Sequence, residues 1–484
     1  MANQLPRRMT IYQSKPTRPR WMLHMQATFW RVLMGLGMFF HKLAPPRPSK
    51  PSFSRRIKAH IAGTPGNIDL YFYVPKDYLA QKRLWQNSSL ESLDADSESL
   101  MTQGSRPTML REVSHAIMHP VQHIKKKSTP GRKWGGYPLV VNFHGGGFTL
   151  GSPKDDARWC HTVVDECQAV VVSVDYRLAP EHPFPTAVED GADAVLWLHA
   201  HAKELGIDRE KIALSGFSSG ANMALTVPLR LYDEYNGFPR DNHGFASASQ
   251  LSLRPQLETV KTLEVDEVAP PTASTEELLE PASARPPIPG RPRKADTTTT
   301  ERALEDVSIK CIVSWYPSLD YTRTRAQRRA TCVRKDQELP ALFTDLFDES
   351  YLHPPHSISL DSPYLSPGVA PTELLKNALP QEIFLVTCEW DMLLDEGVAF
   401  HKRLISPEIG KHVTYHMIEG VPHGWDKAPN PWKPTPGVRE HYLTACHELR
   451  RVFGDVAPDG EQIEEHQTEA GPSAAAQDSE QLVR

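Results

Sequence analysis

The chain lacks most of the features that would place it in a functional class at a glance. Its six cysteines, Cys160, Cys167, Cys311, Cys332, Cys388 and Cys446, fall singly, without a CxxC pair. That spacing speaks against a metal centre and against a disulfide framework, and a reducing location is expected, in the cytoplasm or on the cytosolic face of an internal membrane. Basic charge is not in excess either. The 54 Lys and Arg are outnumbered by 59 Asp and Glu, giving a net charge of −5, whereas a nucleic-acid partner ordinarily requires a basic face. Apolar residues reach only 39%, and 43 prolines are spread over 484 residues. With a mean hydropathy of −0.45, this describes a globular core diluted by polar insertions. No internal repeat is visible.

One stretch stands apart from this polar background. Trp21 to Phe40 is mostly apolar and is flanked by Arg18, Arg20 and Lys42. It is long enough to span a bilayer, but Arg31 near its centre would cost roughly 2.5–3.5 kcal/mol there. The short basic lead and small-residue cleavage site of a secretory signal are missing. His24, Thr28, Arg31 and Gly35 recur at helical spacing and form a narrow polar stripe. An amphipathic helix is expected over about 21–40, either capping an apolar site or making a peripheral membrane contact. Residues 1–54 read as an N-terminal extension, and the oligomeric state is left open.

From residue 55 to 454 the pattern is that of one α/β domain. Arg56 to Ile61 and Ile68 to Val74 read as a hairpin around Thr64-Pro65-Gly66-Asn67. Continuous apolar runs follow at 138–143 and 169–174, and further strands are read at 211–215, 309–316, 382–388 and 412–418. Runs without alternation suit a mostly parallel sheet covered on both faces. Helical stretches at 156–166, 187–205 and 439–452 alternate with them, which means a doubly wound sheet. Two polar segments, about 77–133 and 242–305, interrupt the domain, and the acidic tail 455–484 follows it. All three are expected to be solvated or disordered.

Chemistry enters at Gly216-Phe217-Ser218-Ser219-Gly220, between the run ending at Ser215 and the apolar stretch that opens at Ala221. A serine with glycines at both i−2 and i+2, at a strand-to-helix turn, is held in a strained conformation that only small neighbours permit. About 70 residues earlier, His144-Gly145-Gly146-Gly147-Phe148 follows another strand. Gly145, Gly146 and Gly147, with the N–H of Ser219, form a candidate oxyanion hole. Downstream, Asp391 follows the strand ending at Cys388, and His423 follows the strand ending at Ile418. The order Ser218, Asp391, His423 supplies a nucleophile, an acid and a base. Asp395, one helical turn beyond Asp391, is an alternative acid.

Together these segments resemble the hormone-sensitive-lipase-like group of α/β-hydrolases, which includes carboxylesterases and arylacetamide deacetylases. The resemblance rests on His144 to Gly147, on Asp175-Tyr176-Arg177-Leu178-Ala179-Pro180-Glu181-His182-Pro183-Phe184-Pro185, on the Gly216 to Gly220 elbow, on Ser362 to Pro367, on the Asp391 segment and on His423-Gly424. It implies an α/β-hydrolase fold with a helical cap and hydrolysis of hydrophobic carboxylic esters through an acyl-enzyme, without cofactor or metal. The Asp175 to Pro185 run would be mainly structural. Helix 339–352, with Leu342, Phe343, Leu346 and Phe347, would either belong to the cap or be plain packing. Acyl transfer or amide cleavage would use the same triad, and a ligand-binding receptor on this scaffold would lack the histidine. The chain departs from the group at Phe217 and Ala221, where relatives carry Asp and Gly, and this bears on substrate preference.

Overall fold

The computed structural model describes residues 18–83, 136–236, 307–354, 358–433 and 435–454. The expected tail 455–484, the insertion 242–305 and all but the first residues of the insertion 77–133 lie outside them.

The uninterrupted apolar runs become the centre of one sheet. Its strands are β1 (Phe53–Lys58), β2 (Asn67–Tyr73), β3 (Tyr137–Phe143), β4 (Val170–Asp175), β5 (Ile207–Phe217), β6 (Ile309–Trp315), β7 (Glu382–Cys388) and β8 (His412–Ile418). They lie in the order β1-β2-β4-β3-β5-β6-β7-β8. The pairs β1/β2 and β2/β4 are antiparallel, and the remaining pairs are parallel. All seven residues of β3 are buried because helices cover both faces. The pleat sends Leu139, Val141 and Phe143 into one apolar cluster and Val140 into the other.

The helices are α1 (Arg20–Leu43), α2 (Ala157–Cys167), α3 (Thr186–Ala200), α4 (Ala202–Leu205), α5 (Ser219–Tyr235), α6 (Arg325–Thr331), α7 (Ala341–Tyr351), α8 (Thr372–Ala378), α9 (Leu394–Leu404) and α10 (Val438–Phe453). Residues of α3, α5 and α8 share the first cluster, and those of α2 and α10 share the second.

Two elements differ from the sequence reading. Strand β1 stops at Lys58, not at Ile61, because the N–H groups of His60 and Ile61 donate to the Asp193 carboxylate and are lost to the ladder. The helix expected over 187–205 divides at His201. There the residue leaves helical geometry, and both its N–H and its ring nitrogen bond the Trp197 carbonyl.

Helix α1 lies across the carboxyl ends of the strands and packs on α7, with Trp30 edge-on to Phe343 at 4.7 Å. The polar stripe of α1 does not stay together. Arg31 turns onto the body of the domain, donating to the carbonyls of Thr149 and Ala179 and to the Glu181 carboxylate at 2.7 Å. His24 pairs with Glu181 as well, whereas Thr28 and Gly35 are exposed. Burial raises the Glu181 carboxyl, but the Arg31 hydrogen bonds outweigh it and hold the group down to about 2.

Candidate active site

Ser218 sits where β5 turns into α5, with φ 54° and ψ −114°. A side chain with a Cβ rarely adopts this region, and here the surroundings leave no alternative. A Cβ on Gly216 would lie 2.2 Å from the Gly220 oxygen, and one on Gly220 would lie 2.0 Å from the Phe143 oxygen. The Ser218 N–H donates to the Trp315 carbonyl of the neighbouring strand at 2.9 Å, fixing the turn.

The structure brings Ser218 together with the two downstream residues. Ser218 Oγ is 2.9 Å from His423 Nε2, and His423 Nδ1 is 2.6 Å from Asp391 Oδ2. Asp391 is buried, and its other oxygen accepts the Leu393 N–H at 3.0 Å, so the carboxylate cannot swing away. Asp395, the alternative acid, faces solvent and pairs with Arg323 at 2.5 Å. It has no part in the site.

Gly145, Gly146, Gly147 and Ser219 line the same cavity as Ser218 and His423. Gly146 and Gly147 have φ of 122° and 60°. Here the absence of a side chain is required twice over, since a Cβ on Gly146 would strike the Leu150 oxygen and one on Gly147 the Phe347 ring. Among the described residues no acceptor takes up the N–H of Gly146, Gly147 or Ser219. These donors remain available to a charge developing next to Ser218.

The Asp175 to Pro185 run supports this loop from behind. Tyr176 donates to the His144 carbonyl at 2.7 Å and stacks on the His144 ring, and Arg177 grips the buried Asp190 carboxylate. Ala179 N–H donates to the Phe148 carbonyl. The run also supplies Glu181 to α1, a role that its sequence did not announce.

The cavity has a volume of about 410 Å³. Trp30, Met34 and Met38 of α1 wall one side, and Phe343 and Phe347 of α7 wall another. Of the four α7 residues named from the sequence, only these two reach the cavity. Leu346 is buried packing and Leu342 faces solvent.

Sequence reasoning missed a buried charge cluster behind His423. Lys427 lies 3.0 Å from Asp156 and 2.9 Å from Asp426. Asp426 in turn accepts the hydroxyls of Tyr316 and Tyr442, each at 2.5 Å. The Tyr316 ring meets the His423 ring edge-on at 4.9 Å. Burial opposes the charge on Lys427, yet the two carboxylates outweigh it and hold the ammonium well above the ordinary lysine range. Burial would also lift the Asp426 carboxyl, but Lys427 and the tyrosine hydroxyls keep it low. The only sequence signal was Asp426-Lys427 standing directly behind His423-Gly424-Trp425.

A family model described as the alpha/beta hydrolase fold matches residues 140–283 and 295–427, more than half of the chain. The chain belongs to this α/β-hydrolase family. An arylesterase of Saccharolobus solfataricus is 45% identical over 95 residues, which are 20% of this chain and 31% of that protein. An AB hydrolase superfamily protein of Schizosaccharomyces pombe is 40% identical over 137 residues, 26% of this chain and 40% of that protein. The chain thus spans about a third of the length of the curated relatives it matches. A hyperthermophilic esterase from Pyrobaculum calidifontis superposes with a TM-score of 0.52 at 22% identity, covering 90% of this chain and 99% of that one. That similarity carries the α/β-hydrolase fold. Among the described residues no group of three or more His, Cys, Asp or Glu is placed to hold a metal, and no helix is long and apolar enough to cross a membrane.

Proposed function

We propose that this α/β-hydrolase cleaves carboxylic esters of hydrophobic substrates through an acyl-enzyme on Ser218. The observation that carries the reading is the continuous hydrogen-bonded line from Ser218 Oγ through His423 to Asp391 Oδ2. Ser218 Oγ attacks the acyl carbonyl carbon while His423 Nε2 takes its proton, and Asp391 stabilises the imidazolium that forms. The carbonyl electron pair moves onto oxygen, where the N–H groups of Gly146, Gly147 and Ser219 receive it. Collapse expels the alcohol, which takes the proton from His423. Water then repeats the attack with the same base and releases the acid and Ser218.

Substrate class follows from the walls. A cavity lined by Trp30, Met34, Met38, Phe343 and Phe347 favours an apolar acyl chain or alcohol over a charged one. Relatives named as an arylesterase and a carboxylesterase support the same reaction. A receptor on this scaffold is disfavoured by the His423 imidazole poised on Ser218.

The test is covalent labelling of the full chain by a fluorophosphonate, with mapping of the modified residue, alongside hydrolysis of p-nitrophenyl butyrate and octanoate. Labelling of Ser218 and loss of both activities in Ser218→Ala are expected. Undiminished turnover in Ser218→Ala would overturn the proposal.

A further inference from the structure

Helix α1 turns its cationic and histidine side chains inward, with Trp30, Met34 and Met38 at the cavity, and a second set of large apolar side chains outward. Trp21, Met25, Phe29, Val32, Leu36 and Phe39 are each more than half exposed. The helix is held in that orientation from below. Arg18 pairs with Glu349, Arg31 with Glu181, and Lys42 with Asp155, while His41 bonds the Ala428 carbonyl. An apolar ridge of this length on an otherwise polar protein marks a surface that meets another apolar phase.

Two segments that pack on α1 carry exposed apolar residues of their own. Pro429 sits against α1 at Gly37, and three residues further on Trp432 is 83% exposed. The α7 residue Leu342 is exposed next to Phe343, which packs on Trp30. The ridge is also continuous with the active-site cavity: Leu33 is nearly half exposed and lines that cavity together with Trp30 and Met34.

Charge decides what covers it. Residues 1–68 hold twelve Lys or Arg and no Asp or Glu, the first acidic residue being Asp69, and only four of the twelve, Arg18, Arg31, Lys42 and Arg56, pair with a carboxylate among the described residues. Residues 69–484 hold the other 42 basic residues against all 59 acidic ones. A second copy would bring this basic segment against itself, whereas an anionic headgroup layer complements it. We infer that the outer face of α1, with Trp432, docks on an anionic lipid surface. Docking would place the cavity mouth, at Leu33, beside the acyl region of the lipid layer. That consequence for substrate access rests on the proposed ester hydrolysis, while the docking itself does not.

The experiment is flotation of the full chain with phosphatidylcholine vesicles and with vesicles containing 30% phosphatidylserine, at low and at high salt, using wild type, Ser218→Ala and the triple variant Phe29→Ser/Val32→Ser/Phe39→Ser. None of the three exposed positions lines the cavity, so hydrolysis of soluble p-nitrophenyl butyrate serves as the folding control. Wild type and Ser218→Ala are expected to float with the anionic vesicles at low salt, at least tenfold more than with phosphatidylcholine alone. The triple variant is expected to stay unbound with its soluble-ester turnover within about twofold of wild type. Absence of wild-type flotation with anionic vesicles overturns the inference, as does undiminished binding by the triple variant. Sedimentation equilibrium adds the remaining outcome: a wild-type dimer that the triple substitution dissolves, without vesicle binding, would assign the ridge to a second copy. If p-nitrophenyl butyrate is not turned over by any form, circular dichroism replaces it as the control, and the flotation result still decides the docking.

Discussion

The Lys427 ammonium lies 3.6 Å from the centroid of the Phe217 ring, and Phe217 is the residue immediately before Ser218. This contact gives a physical account of the departure seen at the elbow. Lys427 already serves two buried carboxylates, Asp156 and Asp426, so an aspartate at 217 would add a third negative group to one cation. An aromatic ring offers the ammonium the negative face of its quadrupole without a charge that needs its own partner. The ring also packs into a cluster with Trp159, Trp315 and Tyr442.

Removing Lys427 should therefore be costly to the fold as well as to the site. Lys427→Met leaves Asp156 and Asp426 buried without their cation, and loss of one partner of such a group typically costs about 3–5 kcal/mol. Urea denaturation checks this, with wild type and Lys427→Met/Asp156→Asn alongside. The double variant is expected to recover part of the loss. A single variant as stable as wild type would show that the cluster carries no net stabilisation.

The choice of acid gives a second prediction. Asp391→Asn should lower kcat on p-nitrophenyl butyrate by about 10⁴-fold, because the imidazole loses both its orientation and the charge opposite it. Asp395→Asn, whose side chain pairs with Arg323 in solvent, should remain within about twofold of wild type. Steady-state kinetics on both variants reads this directly, and a reversed order of effects would assign the acid to Asp395.

The glycine loop allows a rescue test. Gly146→Ala and Gly147→Ala should each lose at least about 10² in kcat, the scale of one oxyanion donor. The added methyl of Gly147→Ala strikes the Phe347 side chain, whereas that of Gly146→Ala strikes the backbone at Leu150. Phe347→Ala should thus restore about tenfold to Gly147→Ala and nothing to Gly146→Ala. Equal rescue of the two, measured as kcat/KM, would contradict the geometry.

A buried carboxyl outside the triad predicts a pH dependence of stability. Glu189 of α3 is 3% exposed, and burial pushes its pKa from 4.5 up to about 7. Because the folded state holds this proton more tightly, the contribution is complete below about pH 4.5 and is lost as pH rises through about 7. Glu189→Gln should flatten the stability profile in that window and exceed wild type by about 2–3 kcal/mol at pH 8. Urea midpoints at pH 5 and pH 8 measure it, and an unchanged slope in the variant would refute the assignment.

The elements legible in the sequence were those whose signals are local. The uninterrupted apolar runs at 138–143 and 169–174 suit strands covered on both faces, and β3 and β4 lie where those runs lie. Glycine on both sides of Ser218, and three glycines after His144, mark backbone paths that other residues could not follow, so the elbow and the candidate oxyanion loop announced themselves. Strand β1 and the helix divided at His201 were misplaced because a distant carboxylate and a side-chain bond overrode local pattern.

Order along the chain thus determined the α/β architecture, the serine turn and the set of residues that could meet there. What only the tertiary structure decided is which groups do meet. Asp391 rather than Asp395 reaches His423 because the carboxylate of the one is buried facing the imidazole and that of the other points to solvent. Lys427 finds Asp156 across 271 positions of sequence, and no spacing rule encodes that encounter. Helix α1 is apolar on several faces, so its pattern alone could not say which side turns inward. Arg31 and Glu181 settle it, since charged groups on the inner face must find partners, and Phe29, Val32, Leu36 and Phe39 are left facing outward.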